Sequence, residues 1–273
     1  MRIHPTAIVE DGAALAADVE VGPFSIVKSG ARLGEGVRLL SHVVVGGSTE
    51  IGARTVIHPH AVLGGDAQIR GVDPAGTRLF VGADCVIREC VTMSAGSPKG
   101  SGATRIGDRG FFMAYSHAGH DCHLGNDVTL ANGVQLGGHV HVGDGVNFGG
   151  HAAVHQFVRI GDFAFVSGLT GVEADIIPYG MAIGDRARMT GLNLIGLKRR
   201  GVPRANIHAL RAAYRAIFLG GSGTFAERAK EAGAQWPSVP QVQTVVAFIL
   251  ADARRPICPA RKRGGGAQAD EGE

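Results

Sequence analysis

A period of six residues governs the first two thirds of this chain. From Ile3, eleven consecutive hexads each begin with Ile, Val or Leu: Ile3, Val9, Leu15, Val21 and so on to Leu63. The pattern resumes at Val81, and again at Ile106, from where twelve more hexads run to Ile177; Phe112, Ala118 and Phe148 are the first positions there that are not aliphatic in the same sense. A hexapeptide period is the sequence signature of a parallel β-helix. Each hexad supplies a short strand and a turn, its first residue points inward, and glycine permits the close corners. Three hexads close one triangular coil, so equivalent positions three hexads apart stand above one another. Composition agrees: 45% of residues are hydrophobic but only 5% aromatic, and there are 43 glycines, so the core is built from small aliphatics between frequent turns.

Two breaks interrupt the repeat. The first, residues 69–80, replaces whole hexads, so that Leu63 and Val81 remain in phase. The second, residues 99–105, leaves Ile106 one position out of phase with Met93. A segment longer than a corner must leave the prism, and loops on a rigid solenoid are where binding residues gather. A tolerated insertion is the plainer alternative for each.

After Pro178 the hexads stop, and residues 184–193 read as irregular. Helical spacing follows. Pro203 suits a first turn, with Ile207, Leu210, Ala213, Tyr214, Ile217 and Phe218 on one face. Thr224 and Glu227 have capping-box spacing. A further helix is expected over 239–254, with Val242, Val245, Val246, Ile249 and Leu250 inward. The expected organisation is a β-helix over 1–178, a basic α-helical domain over 179–259 and a disordered tail over 260–273. Charge divides near this boundary. Residues 1–195 carry 14 basic and 18 acidic residues, a balance of −4, whereas residues 196–273 carry 13 and 6, a balance of +7. An anionic partner for the C-terminal part is therefore favoured.

Cys85, Cys90, Cys122 and Cys258 form no CxxC pair and no zinc-finger spacing, which fits a reducing compartment. The N-terminus has no apolar signal segment, and no apolar run approaches the ~20 residues that span a bilayer. A cytoplasmic protein without stable membrane insertion is expected.

The chemical signal is a histidine cluster. His117, His120, His123, His139, His141, His151 and His155 lie close together in the chain and make up seven of its twelve histidines. His123 and His141, both at hexad position six and one coil apart, form either a polar ladder or a metal pair. His120 is followed by Asp121, and a carboxylate beside an imidazole selects one tautomer and supports a general base. His117 and His120 lie on opposite sides of a hexad boundary and need not share a role.

These residues also carry a resemblance. "HPTAIVE" at His4, "GPFSIV" at Gly22, "SHVVV" at Ser41, "IREC" followed by "VT" at Ile87, "HAGHDC" at His117, "GGHV" at Gly137, "AVHQF" at Ala153 and "GLKRRG" at Gly196 are similar to the acyl-acyl-carrier-protein:UDP-N-acetylglucosamine O-acyltransferase family, over nearly the whole chain. The fold class expected is mainly β: a left-handed parallel β-helix followed by a small α-helical domain. The resemblance implies transfer of a 3-hydroxyacyl chain from acyl carrier protein to the 3-position of UDP-N-acetylglucosamine, the first step of lipid A synthesis. It makes His120 the general base, Asp121 its orienting partner and Gly138 the backbone donor to the oxyanion. Gln68, His117, His139, His155, Gln156, Asn193 and Arg199 match substrate-contacting positions, and Gly168 matches the position that limits acyl length. A homotrimer with sites between subunits is implied, with no cofactor, no metal and no nucleic-acid partner. The chain departs from the family at Ile69, Gly71, Ser94, Ala95 and Ile195, where sugar-contacting acidic, basic and imidazole groups are usual. A different UDP-amino sugar, such as a 3-amino acceptor, is therefore an alternative acceptor. Two other readings compete: a trimeric zinc lyase of γ-carbonic anhydrase type using His117, His120, His123 and His141, and a non-catalytic paralogue that binds without turnover.

Overall fold

The computed structural model describes residues 1–261. Twenty-six parallel strands, most of two residues, wind from Arg2–Ile3 to Gly171–Val172 as a left-handed β-helix. Every third strand joins the same face, giving three sheets whose strands number eleven, nine and eight. The register shows why the hexad phase matters: Glu20 pairs with Arg38, three hexads later and one coil above. Val56 pairs with Val86 across the first break, and Val86 with Phe111 across the second. The two breaks thus lengthen single coils, by two hexads and by one hexad plus one residue, without disturbing the stack.

The core is a column of first-position side chains. Val27, Leu39, Ile57, Ile87, Phe112, Leu124, Leu136 and Val166 are all buried. A second inward row, two residues earlier in each hexad, holds mostly small or β-branched groups such as Ser25, Ala31, Thr55, Cys85, Cys122 and Ala164, with Leu79 an exception. Large first-position residues fill the prism and small ones fit beside the corners, which accounts for two of the four cysteines. Burial pushes the Cys85 thiol up to about 11 and that of Cys122 up to about 12, so both behave as core atoms. All four cysteines are free thiols.

Three corners separate the sheets, and stacked residues there adopt left-handed backbone. At the corner between the second and third sheets these are Asp121, His139 and Phe157, with φ of 58°, 61° and 67°. Left-handed backbone is costly for most L-residues, though Asp and His accept it more readily. At the next corner a side-chain ladder secures the coils. Asp108, Asn126, Asp144 and Asp162 each accept a bond from a backbone N–H one coil earlier, at 2.7–3.0 Å.

The first sheet does not end at Pro178. Gly180–Ile183 joins it and turns back at Gly184 (φ 113°) into the antiparallel strand Arg188–Leu192. The segment expected to be irregular is therefore a hairpin closing the open end of the sheet. Helix α1 (Leu194–Arg199), unanticipated in the sequence, follows Asn193, whose Oδ1 accepts from Gly196 N. Helix α2 (Arg204–Leu219) buries Ile207, Leu210, Ala213 and Ile217. Helix α3 (Phe225–Gln235) has the Thr224–Glu227 capping box. Helix α4 (Pro240–Leu250) buries Val242, Val245 and Val246.

Helix α4 ends short of the expected Arg254. Beyond it the chain is drawn back to the β-helix: Ile257 bridges Asp175 and Ala260 bridges Met189. Pro256, which cannot continue a helix, lies in this returning arm. Ala260 and Arg261, placed by sequence in the tail, are thus part of the packed structure, and the rest of that tail, residues 262–273, lies outside the described residues. Arg159 anchors the junction: its Nε donates to buried Asp175 at 2.7 Å and its guanidinium covers the Phe248 ring at 4.4 Å. Among the described residues no helix is long and apolar enough to cross a membrane.

Candidate active site

Both extra segments leave from one corner. The first connects the second-sheet strand Val62–Gly65 to the third-sheet strand Arg78–Val81; the second connects Thr92–Ser94 to Ala103–Ile106. His120 and Asp121 occupy this same corner, between His117–Ala118 and His123–Leu124.

The pair is buried and closely bonded. His120 Nδ1 lies 2.8 Å from Asp121 Oδ2, and the two residues are 7% and 4% exposed. The second loop wraps the carboxylate. Ser97 donates to Oδ2 from its backbone N–H (3.1 Å) and its hydroxyl (2.7 Å). Ser101 Oγ and Gly102 N each donate to Oδ1 at 3.0 Å. Thr104 Oγ1 accepts from Asp121 N at 2.9 Å. Burial alone raises the Asp121 carboxyl, but the bonds from His120, Ser97 and Ser101 outweigh it and hold the group below the usual carboxylate range. Asp121 is therefore a fixed anion. It draws the His120 proton to Nδ1 and leaves the Nε2 lone pair free to accept a proton.

Gly138 stands one coil above. A Cβ there would lie 2.5 Å from both Cε1 and Nε2 of His120, so only glycine lets the backbone approach the basic nitrogen. Among the described residues no acceptor takes the Gly138 N–H. The combination of a free, rigid donor and an imidazole lone pair is what acyl transfer requires.

His139, next to Gly138, sets its ring edge-on to His120 at 90° and 4.9 Å, with Nε2 3.9 Å from Asp121 Oδ2. His117 bonds Thr92 Oγ1 through Nδ1 at 2.8 Å. Burial lowers the affinity of both imidazoles for protons. His155 and Gln156 are exposed on the same corner, where Arg255 Nε donates to the Gln156 carbonyl at 3.1 Å. Gln68 is exposed in the first loop. The remaining candidates stand elsewhere on this protomer. Gly168 is at the first corner, between the first and second sheets, beside Gly150, whose carbonyl a Cβ would meet at 3.1 Å. Asn193 is at the third corner, between the third and first sheets, where its Nδ2 donates to the Phe163 carbonyl at 3.0 Å. Arg199 is exposed on α1.

The four imidazoles weighed as zinc ligands do not converge. His123 and His141 do adjoin, with ring centroids 5.7 Å apart and tilted by 46°. Among the described residues, His120, Asp121 and His139 are the one trio of such groups whose ligand atoms lie within 4.8 Å of one another. Sequence reasoning missed Ser97, Ser101 and Gly102. The phase slip in a Ser-Gly-rich loop before "HDC" was the available signal.

Fold and site together define a hexapeptide-repeat transferase, and the profile of bacterial transferase hexapeptides matches residues 30–65. The profile described as "Udp N-acetylglucosamine O-acyltransferase; Domain 2" matches residues 175–258. The chain is 46% identical over 263 residues to the acyl-[acyl-carrier-protein]–UDP-N-acetylglucosamine O-acyltransferase of Bartonella henselae, covering 96% of each chain. The Rhizobium etli protein of that name is 46% identical over 181 residues, 66% of each. Among solved structures, UDP-N-acetylglucosamine O-acyltransferase from Moraxella catarrhalis superposes with a TM-score of 0.90 at 36% identity, covering 94% of this chain and 99% of that one. The chain belongs to the UDP-N-acetylglucosamine O-acyltransferase family.

Proposed function

We propose that this protein transfers a 3-hydroxyacyl chain from acyl carrier protein to the 3-hydroxyl of UDP-N-acetylglucosamine, opening lipid A synthesis in the cytoplasm. The observation that carries this reading is the corner formed by His120, Asp121 and Gly138. His120 Nε2 takes the proton of the sugar hydroxyl as its oxygen attacks the thioester carbonyl. The Gly138 N–H donates to the developing oxyanion. Asp121 stabilises the imidazolium, which then protonates the departing thiolate as the C–S bond breaks. His117, His139, His155, Gln156 and Gln68 contact the substrates.

The placement of the remaining groups supports a homotrimer. Asn193 and Gly168 lie at corners other than that of His120, and Arg199 lies on α1, so a neighbouring copy brings its own to the site. Phe24, Tyr115 and Leu169 are 57%, 67% and 76% exposed along the first corner, an apolar edge suited to self-association. In this arrangement Gly168 sets how much of the acyl chain is admitted. The carrier protein docks on α2, where Arg204, His208, Arg211 and Arg215 are exposed at helical spacing and make no salt bridge among the described residues.

Incubating the protein with 3-hydroxyacyl carrier protein and a panel of UDP-sugars tests the reading. Ester formation on UDP-N-acetylglucosamine is expected. Transfer only to a 3-amino sugar nucleotide would move the acceptor assignment to the alternative opened by Ile69, Gly71 and Ser94. No transfer at all, or zinc bound stoichiometrically and required for activity, would overturn it.

A further inference from the structure

The arm that returns from α4 places two arginines against the histidine corner. The Arg254 guanidinium lies over the Phe157 ring, 4.4 Å from its centroid. On its other neighbour, Phe157 stacks with His139 at 4.4 Å and 10°. His139 in turn meets His120 edge-on at 4.9 Å. A cation, a phenyl ring and an imidazole are thus layered outward from the catalytic pair, and the cation comes from near the far end of the chain.

His139 is a hazard as well as a neighbour. Its Nε2 is 3.9 Å from Asp121 Oδ2, the oxygen that holds His120. A protonated His139 would compete for that oxygen and set a positive charge beside the base, weakening its hold on the incoming proton. We propose that Arg254 is a positioning residue which, through Phe157, clamps His139 beside His120 as an uncharged ring, so that Asp121 serves His120 alone. This rests on His120 being the general base.

The charges around His139 support the assignment. Burial is the largest influence and disfavours the imidazolium; Asp121 favours it; His120 and Arg254 disfavour it. His141, on the adjoining third-sheet strand, is a further imidazole that feels the His139 charge, and His123 and Arg159 face it in turn. Arg254 is the permanent cation in this set. It makes no salt bridge among the described residues, so no carboxylate neutralises it. The guanidinium also binds the face of Phe157 by cation–π attraction, which holds the stack together while it repels a second charge.

The test compares R254M and R254K with the wild type, and F157L as a second way to break the stack. In R254M the acid limb of the kcat/KM–pH profile should move upward by roughly 0.3–0.5 pH unit, since removing the cation makes His139 easier to protonate. R254K should restore the wild-type limb. Titration of the His139 imidazole by 13C NMR, assigned with H139N, should shift the same way in R254M and F157L. An unmoved limb with an unmoved His139 titration overturns the proposal. So does a fall in kcat/KM that is uniform with pH, which would make Arg254 a direct substrate contact. Failure of the wild type to transfer acyl groups would instead sink the catalytic reading, while the NMR titration would still report on Arg254.

Discussion

Ser97 Oγ donates to Asp121 Oδ2 at 2.7 Å, and Ser97 is fully buried. A residue of the second inserted loop therefore fixes the carboxylate that orients His120. A hydrogen bond to a charged group contributes about 1.5–3 kcal/mol. S97A keeps the backbone donor but loses the hydroxyl. We expect kcat to fall roughly tenfold with KM nearly unchanged. Steady-state kinetics at saturating donor check this, and a change confined to KM would contradict it.

Removing His120, the proposed base, should be far more damaging than loosening its support. H120A is expected to lower single-turnover acyl transfer by about 10²–10⁴-fold. The far-ultraviolet circular dichroism and the oligomeric state should be retained, because His120 lies on a corner outside the column of first-position side chains. Activity within a few-fold of wild type would remove His120 from the mechanism.

At Gly138 the backbone itself is the proposed functional group. The methyl of G138A would stand 2.5 Å from His120 Cε1 and Nε2, so the ring must move off its line to the substrate. Overpacking of this kind costs about 1–3 kcal/mol of stability. The expected result is a folded protein with at least a ~100-fold loss of kcat. A fully active G138A would show that the ring tolerates displacement.

Acid should destabilise the protein in two steps of the same sign. Burial depresses the proton affinity of His117, His139 and His141, so their folded-state pKa values lie below that of unfolded histidine. The unfolded chain then binds more protons below pH ~6.5, and stability falls as pH drops through that value towards the folded ones. Asp121 is also depressed in the fold, so its contribution is present above the unfolded carboxylate pKa and is lost as pH falls through the folded one. Thermal melts should show a plateau above pH ~6.5 and a declining Tm below it. A Tm that rises as the solution is acidified below that plateau would contradict the assignment.

Much of this architecture is legible in the sequence because the repeat is local. A six-residue period sends every first position inward, and Leu39, Ile57 and Leu136 are all buried. The stacking of positions three hexads apart follows from the same arithmetic, as at His123 and His141. The capping box at Thr224 is equally local, since it needs only Thr224 and the nearby Glu227. The hairpin at Gly180 was less legible, because its strand pairing depends on the exposed edge of the first sheet. Helix α4 stops early for a similar reason: the segment after it pairs with Asp175 and Met189, far away in the chain.

The site divides in the same way. Adjacency in sequence alone marked His120 and Asp121, and the hexad register alone separated His120 from His117. Only the folded coil decided that both insertions emerge at their corner, that Ser97 and Ser101 close around the carboxylate, that Gly138 faces Nε2, and that Arg254 caps the stack over His139. The periodic sequence specifies short-range geometry, in which each residue's direction follows from its place in the hexad. Contacts between a loop, a corner one coil above and a returning C-terminal arm join positions that are distant in the chain, and no local period encodes which of them meet.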